Sequence, residues 1–212
     1  MVTNVSKPML RGVLHHTAAW AALGGGLVLV AMASSPRAAV AAAIYSLSLV
    51  ALFTISAIYH RVQWTEDRVR AWMRRADHSS IFILIAGTYT PVSLLGLGGE
   101  DGNRLLIMIW SGAAAGVLLS LFWVKAPKAL IALVAVAVGW MIVPYFGQVR
   151  KLLGAYIWLI LAGGIVYTVG ALVYAIKRPD PWPRVFGYHE VFHALTLIGA
   201  LLHFVAIVTI VR

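Results

Sequence analysis

The segment at 187–203, GYHEVFHALTLIGALLH, sets His189 and His193 four residues apart with Glu190 between them. On a helix, positions i and i+4 share a face, so both imidazoles can reach one metal ion. The letters also fit the H-E-x-x-H pattern, in which the glutamate serves as the base of a zinc protease. Five residues do not decide the matter. In such a protease a third ligand commonly follows downstream, and the candidate would be His203. Ten residues of helix separate it from His193, about 15 Å at 1.5 Å per residue, too far to join one tetrahedron. A third ligand must come from elsewhere in the chain, which leaves Glu190 free to point away. The chain has no cysteine, so disulfides, thiolate nucleophiles and Cys-zinc sites are excluded and any metal rests on His, Asp or Glu.

The elements that must carry these residues follow from composition. Of 212 residues, 61% are hydrophobic and 11% charged, too little polar surface for a soluble globule of this size. Seven apolar stretches are long enough to cross a bilayer, at about 14–33, 39–60, 78–97, 105–124, 127–146, 153–176 and 188–210. Short connections and no internal repeat predict a single domain over 1–212, an all-α membrane protein built as a seven-transmembrane helix bundle. Alternate loops divide the basic residues unequally. Lys7, Arg11, Arg61, Arg68, Arg70, Arg74, Arg75, Lys125, Lys128, Lys177, Arg178 and Arg184 fall on one side, whereas Arg37, Arg104, Arg150, Lys151 and Arg212 fall on the other. The positive-inside rule puts the first set in the cytoplasm, the N-terminus with it and the C-terminus outside. The net charge of +10 is thereby a matter of topology and of attraction to anionic lipid, not of nucleic-acid binding. Ala31-Met32-Ala33 echoes a signal-peptidase site, but the apolar run before it is long for a signal peptide, and its removal would leave an even number of spans.

This topology brings distant residues to one depth. The second span ends inward at Ser56-Ala57-Ile58-Tyr59-His60, the third starts there with Asp77 and His78, and the seventh opens with His189 and His193. An uncompensated charge inside a span costs about 2.5–3.5 kcal/mol on insertion scales. Coordination removes that cost. His60, His189 and His193 plus a water give the open tetrahedral geometry of catalytic Zn2+, with Asp77 holding the water and Ser56 donating to that carboxylate or to a developing oxyanion. His78 is expected as an interfacial or supporting partner, and His15 and His16 as interfacial residues of the first span. His203 continues the stripe His189, His193, Thr196, Ala200 toward the bundle interior and is expected to bond a neighbouring helix. Gly24–Gly26, Gly112, Gly116, Gly163 and Gly164 read as close helix contacts, and Gly87 to Pro91 as a kink in the third span.

RGVLH at 11–15, SAIYH at 56–60, DHSSIFILIAGTYTP at 77–91 and GYHEVFHALTLIGALLHF at 187–204 together resemble the hemolysin III branch of the progestin and adipoQ receptor (PAQR) superfamily, over nearly the whole chain. The resemblance implies zinc bound directly by His60, His189 and His193, with Asp77 reaching it through water. It also implies a fold similar to that of adiponectin receptors and alkaline ceramidases, relatives linked to lipid-amide hydrolysis. The bacterial members resemble membrane-homeostasis proteins of the cytoplasmic membrane. The expectation is therefore a multi-pass, zinc-dependent hydrolase of a lipid amide or ester, with membrane lipids as its partners. The alternatives are a receptor-like or regulatory protein with a structural zinc, and a pore-forming hemolysin.

Overall fold

The computed structural model of the protein describes residues 7–123 and 126–212, so Lys125 of the basic set lies outside the described residues. Among the described residues there is no β-strand, and the chain runs through eight α-helices in order. These are α1 (Val13–Ala31), α2 (Pro36–Arg61), α3 (Asp67–Pro91), α4 (Gly99–Phe122), α5 (Lys128–Gly139), α6 (Phe146–Leu153), α7 (Ile157–Ile176) and α8 (Tyr188–Val211). Six helical runs are long and apolar enough to cross a membrane, one of them the 49-residue stretch Lys128–Ile176.

Local chemistry sets the helix ends. Ser35 caps α2 by accepting from the Ala38 amide at 3.2 Å, and Pro36 fills the first helical position, where its missing N–H goes unmissed. The third span begins earlier than expected, because the basic segment before Asp77 is helical from Asp67 onward. Arg, Met and Ala sustain a helix well, and Asp67 sits in the first turn, where the helix dipole favours an acid. Asp77 and His78 thus lie in the third turn of α3 and not at its start. At the far end Pro91 has no N–H to offer the previous turn, and the backbone widens into a π-helix over Val92–Leu97 that closes on Gly98.

The stretch expected as one span at 127–146 stops sooner. α5 ends at Gly139, about 18 Å from its start. A 3₁₀ turn through Pro144 leads into the short α6. The side chain of Tyr89 on α3 stabilises this break, donating its hydroxyl to the Gly139 carbonyl at 2.5 Å and accepting from the Ile142 amide at 3.1 Å. The chain then doubles back. Trp140 Nε1 donates to Thr168 Oγ1 at 3.0 Å, and Lys128 at the head of α5 lies over the ring of Tyr174 near the tail of α7, which makes α5 and α7 antiparallel.

Sequence neighbours α1 and α2, α2 and α3, α3 and α4, and α7 and α8 pack together, and α8 returns to α1, α2 and α3. Close approach uses glycine. A Cβ on Gly116 would stand 2.3–2.5 Å from the ring of fully buried Phe82, and one on Gly26 would meet Ser46 Cβ at 2.7 Å. Gly24, by contrast, has open space at its Cα, so only part of the glycine triplet serves packing.

Candidate metal centre

Three helices meet at the basic end of the bundle. His60 is in the last turn of α2, His189 and His193 in the first turns of α8, and all three are buried. Their ligand atoms lie within 4.8 Å of one another. His60 Nε2 and His189 Nε2 face each other at 3.1 Å, and the ring centroids are 4.5 Å (His189–His193), 4.6 Å (His60–His189) and 5.1 Å (His60–His193) apart. Two neutral imidazoles converge in this way over a shared N–H or around a common ion. Nitrogens around one tetrahedral Zn2+ at about 2.0–2.1 Å would stand about 3.3 Å apart, so the donor set fits the ion.

Asp77 on α3 stands beside this cluster. Its Oδ2 is 3.8 Å from His60 Nε2, beyond a hydrogen bond, and its carboxylate is in hydrogen-bonding interaction with Ser56, one turn below His60 on α2. His78, next in sequence, borders the same cavity as Asp77, since two adjacent side chains on a helix can flank one wide opening.

Glu190 does not join the histidines. It is 1% exposed, accepts from the Gly187 amide at 2.9 Å to cap the start of α8, and is ion-paired with Arg11, whose Nε donates to its Oε1. Arg11 belongs to a short segment laid across this end of the bundle: Met9 and Leu10 donate their amides to the carbonyls of Arg184 and Val185 at 3.0 and 3.2 Å. Gly12 turns that segment into α1 with φ of +76°, where a Cβ would press 2.9 Å from His60 Cβ. Spacing alone pairs Glu190 with the metal, and nothing in the sequence identifies Arg11 as its true partner.

His15 overturns its expectation. It is not interfacial but 3% exposed, stacked face to face on His193 at 3.8 Å with 5° between the planes, and edge-on to Phe53 at 5.1 Å. Its neighbour His16 is exposed, as expected. A signal was present in the sequence. His15 keeps register with Ala18, Ala22, Gly26 and Leu29, the buried face of α1, and His16 does not. His203 lies away from the cluster, with Nε2 3.1 Å from the Ile160 carbonyl of α7.

A cavity of about 150 Å³ runs from His15, Asp77 and His189 down to Trp140 and His203, between α1, α2, α3, α5, α7 and α8. Its wall is largely Leu, Ile, Val, Ala and aromatic carbon. Imidazole and carboxylate side chains at one end and an apolar passage behind them can bind a molecule with a polar head and a hydrocarbon tail.

Fold and site together define a multi-pass integral membrane protein with a buried histidine cluster at one end of its bundle. The family description "Haemolysin-III related" matches residues 3–204, and the chain belongs to that family. It is 30% identical to "Hemolysin-3" of Bacillus cereus over 208 residues, 96% of this chain and 91% of that protein. It is 23% identical to the human "Monocyte to macrophage differentiation factor" over 167 residues, 77% of this chain and 67% of that one. A rice protein named "Heptahelical transmembrane protein ADIPOR2" is 40% identical over 52 residues, 22% of this chain and 23% of its own. With such relatives the protein is one of a bacterial membrane.

Proposed function

We propose that His60, His189 and His193 hold a zinc ion and that the protein is a zinc-dependent hydrolase of a lipid amide or ester, taking its substrate from the membrane and serving lipid homeostasis. One observation carries the reading: buried imidazoles from α2 and α8 converge, and two of them, His189 and His193, line the polar end of an apolar cavity together with Asp77. Leaving three such rings uncompensated there is costly, and coordination offsets that cost.

A bound zinc supplies Lewis acidity and lowers the pKa of a coordinated water toward about 7. The remaining work falls to the chain's own groups. Asp77 accepts a proton from the attacking water and returns it to the nitrogen or oxygen leaving the acyl carbon. Ser56 donates its hydroxyl to Asp77, holding the carboxylate in orientation. The apolar wall grips the acyl chain and keeps bulk water from the reacting carbon.

The antiparallel pairing of α5 and α7 supports two crossings by the Lys128–Ile176 run, hence seven in all. The rice relative's name agrees with that number. The excess of Lys and Arg at the histidine end supports an N-terminus in the cytoplasm and a C-terminus outside.

The test is metal analysis of the purified protein, followed by assays in liposomes. The expected results are one zinc per chain, its loss in a His60→Ala, His189→Ala double variant, and chelator-sensitive turnover of ceramide or lysolipid without dye leakage. Substoichiometric zinc in the wild type sinks the metal reading. Stoichiometric zinc with no turnover makes it a structural staple, and leakage without turnover makes the protein a pore.

A further inference from the structure

The outer face of α1 and α2 carries a feature that the hydrolase reading does not use. At the basic end of the bundle a groove of about 450 Å³ opens between the two helices. Ala19 and Ala57 line it, small residues where longer side chains would fill the space, and Trp20, Leu23 and Ile58 along it are exposed. Both helices are long and apolar enough to cross a membrane, so in a bilayer this groove faces hydrocarbon chains.

The polar groups of the groove gather at one end. Arg61, in the last turn of α2, and His16, in the first turn of α1, both line it and both are exposed. The stem of Arg61 packs on the turn at Gly12, where a Cβ would stand 3.0 Å from its Cγ. Among the described residues its guanidinium makes no ion pair and no hydrogen bond. Thr54 lines the groove deeper in the span, on the same face of α2. In the other helices Thr17, Thr88, Thr90, Thr168, Thr196 and Thr209 turn their hydroxyls back to carbonyls of their own helix. Thr54 makes no such bond among the described residues, and its hydroxyl is open to whatever fills the groove.

We infer that the groove is a binding site for an anionic glycerophospholipid, with the phosphate held by Arg61 and His16 and an acyl chain lying along Trp20, Leu23 and Val50. A guanidinium presents a planar fork that matches two phosphate oxygens. A zwitterionic head brings its own cation up to Arg61, whereas a phosphatidylglycerol head does not, so charge selects the anionic lipid. Thr54 stands seven positions from Arg61, about 10 Å along α2 toward the middle of the span, where an ester carbonyl below the phosphate can accept from it. The site is separate from the cavity under the histidines and involves neither the metal nor turnover.

The experiment uses the full chain in phosphatidylcholine nanodiscs that carry a minor fraction of phospholipid brominated on its acyl chains, and reads tryptophan quenching. The difference between wild type and Trp20→Phe isolates the signal of Trp20. At equal mole fraction, brominated phosphatidylglycerol should quench Trp20 more than brominated phosphatidylcholine. Arg61→Gln should lower the apparent affinity for phosphatidylglycerol about tenfold, the worth of one charge-assisted hydrogen bond. Arg61→Lys keeps the charge without the fork and should lose part of the affinity; it carries the test if the Gln variant does not fold. Arg37→Gln, at the other end of α2, should change nothing. Equal quenching by the two lipids in wild type overturns the inference, because ordinary bilayer lipid then fills the groove. Full affinity in Arg61→Gln also overturns it, by assigning the preference to the diffuse charge of the basic end. If Trp20 is shielded from both lipids and the chain cross-links as a dimer, a second copy occupies the groove and the lipid site is refuted. None of these readings uses zinc or hydrolysis, so this inference and the hydrolase reading can fail independently.

Discussion

Arg11 and Glu190 offer the sharpest test of how this end of the bundle is held together. Their side chains are unequally buried, 21% exposed for Arg11 and 2% for Glu190, so the two halves of the pair should not be equally replaceable. Arg11→Met removes the partner and strands a carboxylate that has only the Gly187 amide left, at a cost of about 3 kcal/mol, the lower end for breaking a buried pair. Glu190→Gln keeps an oxygen to accept from Gly187, and the guanidinium, nearer solvent, can reach water, so the cost should be about 1 kcal/mol. The double variant leaves no stranded charge and should cost about 1 kcal/mol, far less than the sum, with a coupling of about 3 kcal/mol. Thermal unfolding of detergent-purified protein reads this order. At about 2–4 °C per kcal/mol for a chain of this size, Arg11→Met should lower Tm by about 6–12 °C and the other two by about 2–4 °C. All three should keep the zinc content of the wild type. Equal loss in the two single variants, or additive loss in the double, refutes the reasoning. Loss of function in Glu190→Gln matching that of Asp77→Asn would restore Glu190 as the base of a zinc protease.

Tyr89→Phe should destabilise by about 1–3 kcal/mol, because the lost hydroxyl strands the Gly139 carbonyl and the Ile142 amide at the α5 break; a Tm unchanged from wild type counts against that role. Gly116→Ala drives a methyl into the Phe82 ring and should cost about 1–3 kcal/mol, whereas Gly24→Ala, with open space, should be near neutral; equal effects would contradict the packing. Asp77→Asn should retain zinc measured by metal analysis yet lose lipid turnover, and a variant as active as wild type would remove Asp77 from the chemistry.

Much of this was legible because membrane helices have a length. Once the spans are laid out, His60, Asp77, His189 and His193 fall at one depth with no knowledge of side-chain contacts, and the structure brings the three histidines together with Asp77 beside them. Periodicity and apolar length do not report breaks inside an apolar run. The end of α5 at Gly139 and the 3₁₀ turn lie in sequence that reads as continuous membrane helix, and only the Tyr89 bridge from another helix makes the interruption visible, whereas α6 falls in the expected connection around Arg150 and Lys151. The basic segment before Asp77 was hidden for the opposite reason. Charge marks it as outside the lipid, and charge alone does not distinguish loop from helix. Arg11 has its partner, Glu190, at the other end of the chain, and one sequence carries no information on such a pair; for His15 the register of α1 reports burial but not the stacking on His193.

That remoteness also fixes an order of events. His60 and His189 are 129 positions apart, and α8 is the last helix in chain order. While α2 is already in the bilayer, no pocket for a metal exists, because two of its three imidazoles have not yet left the ribosome. On the zinc reading proposed above, metal insertion is therefore a late step of biogenesis, and occupancy of the centre would distinguish finished molecules from stalled ones.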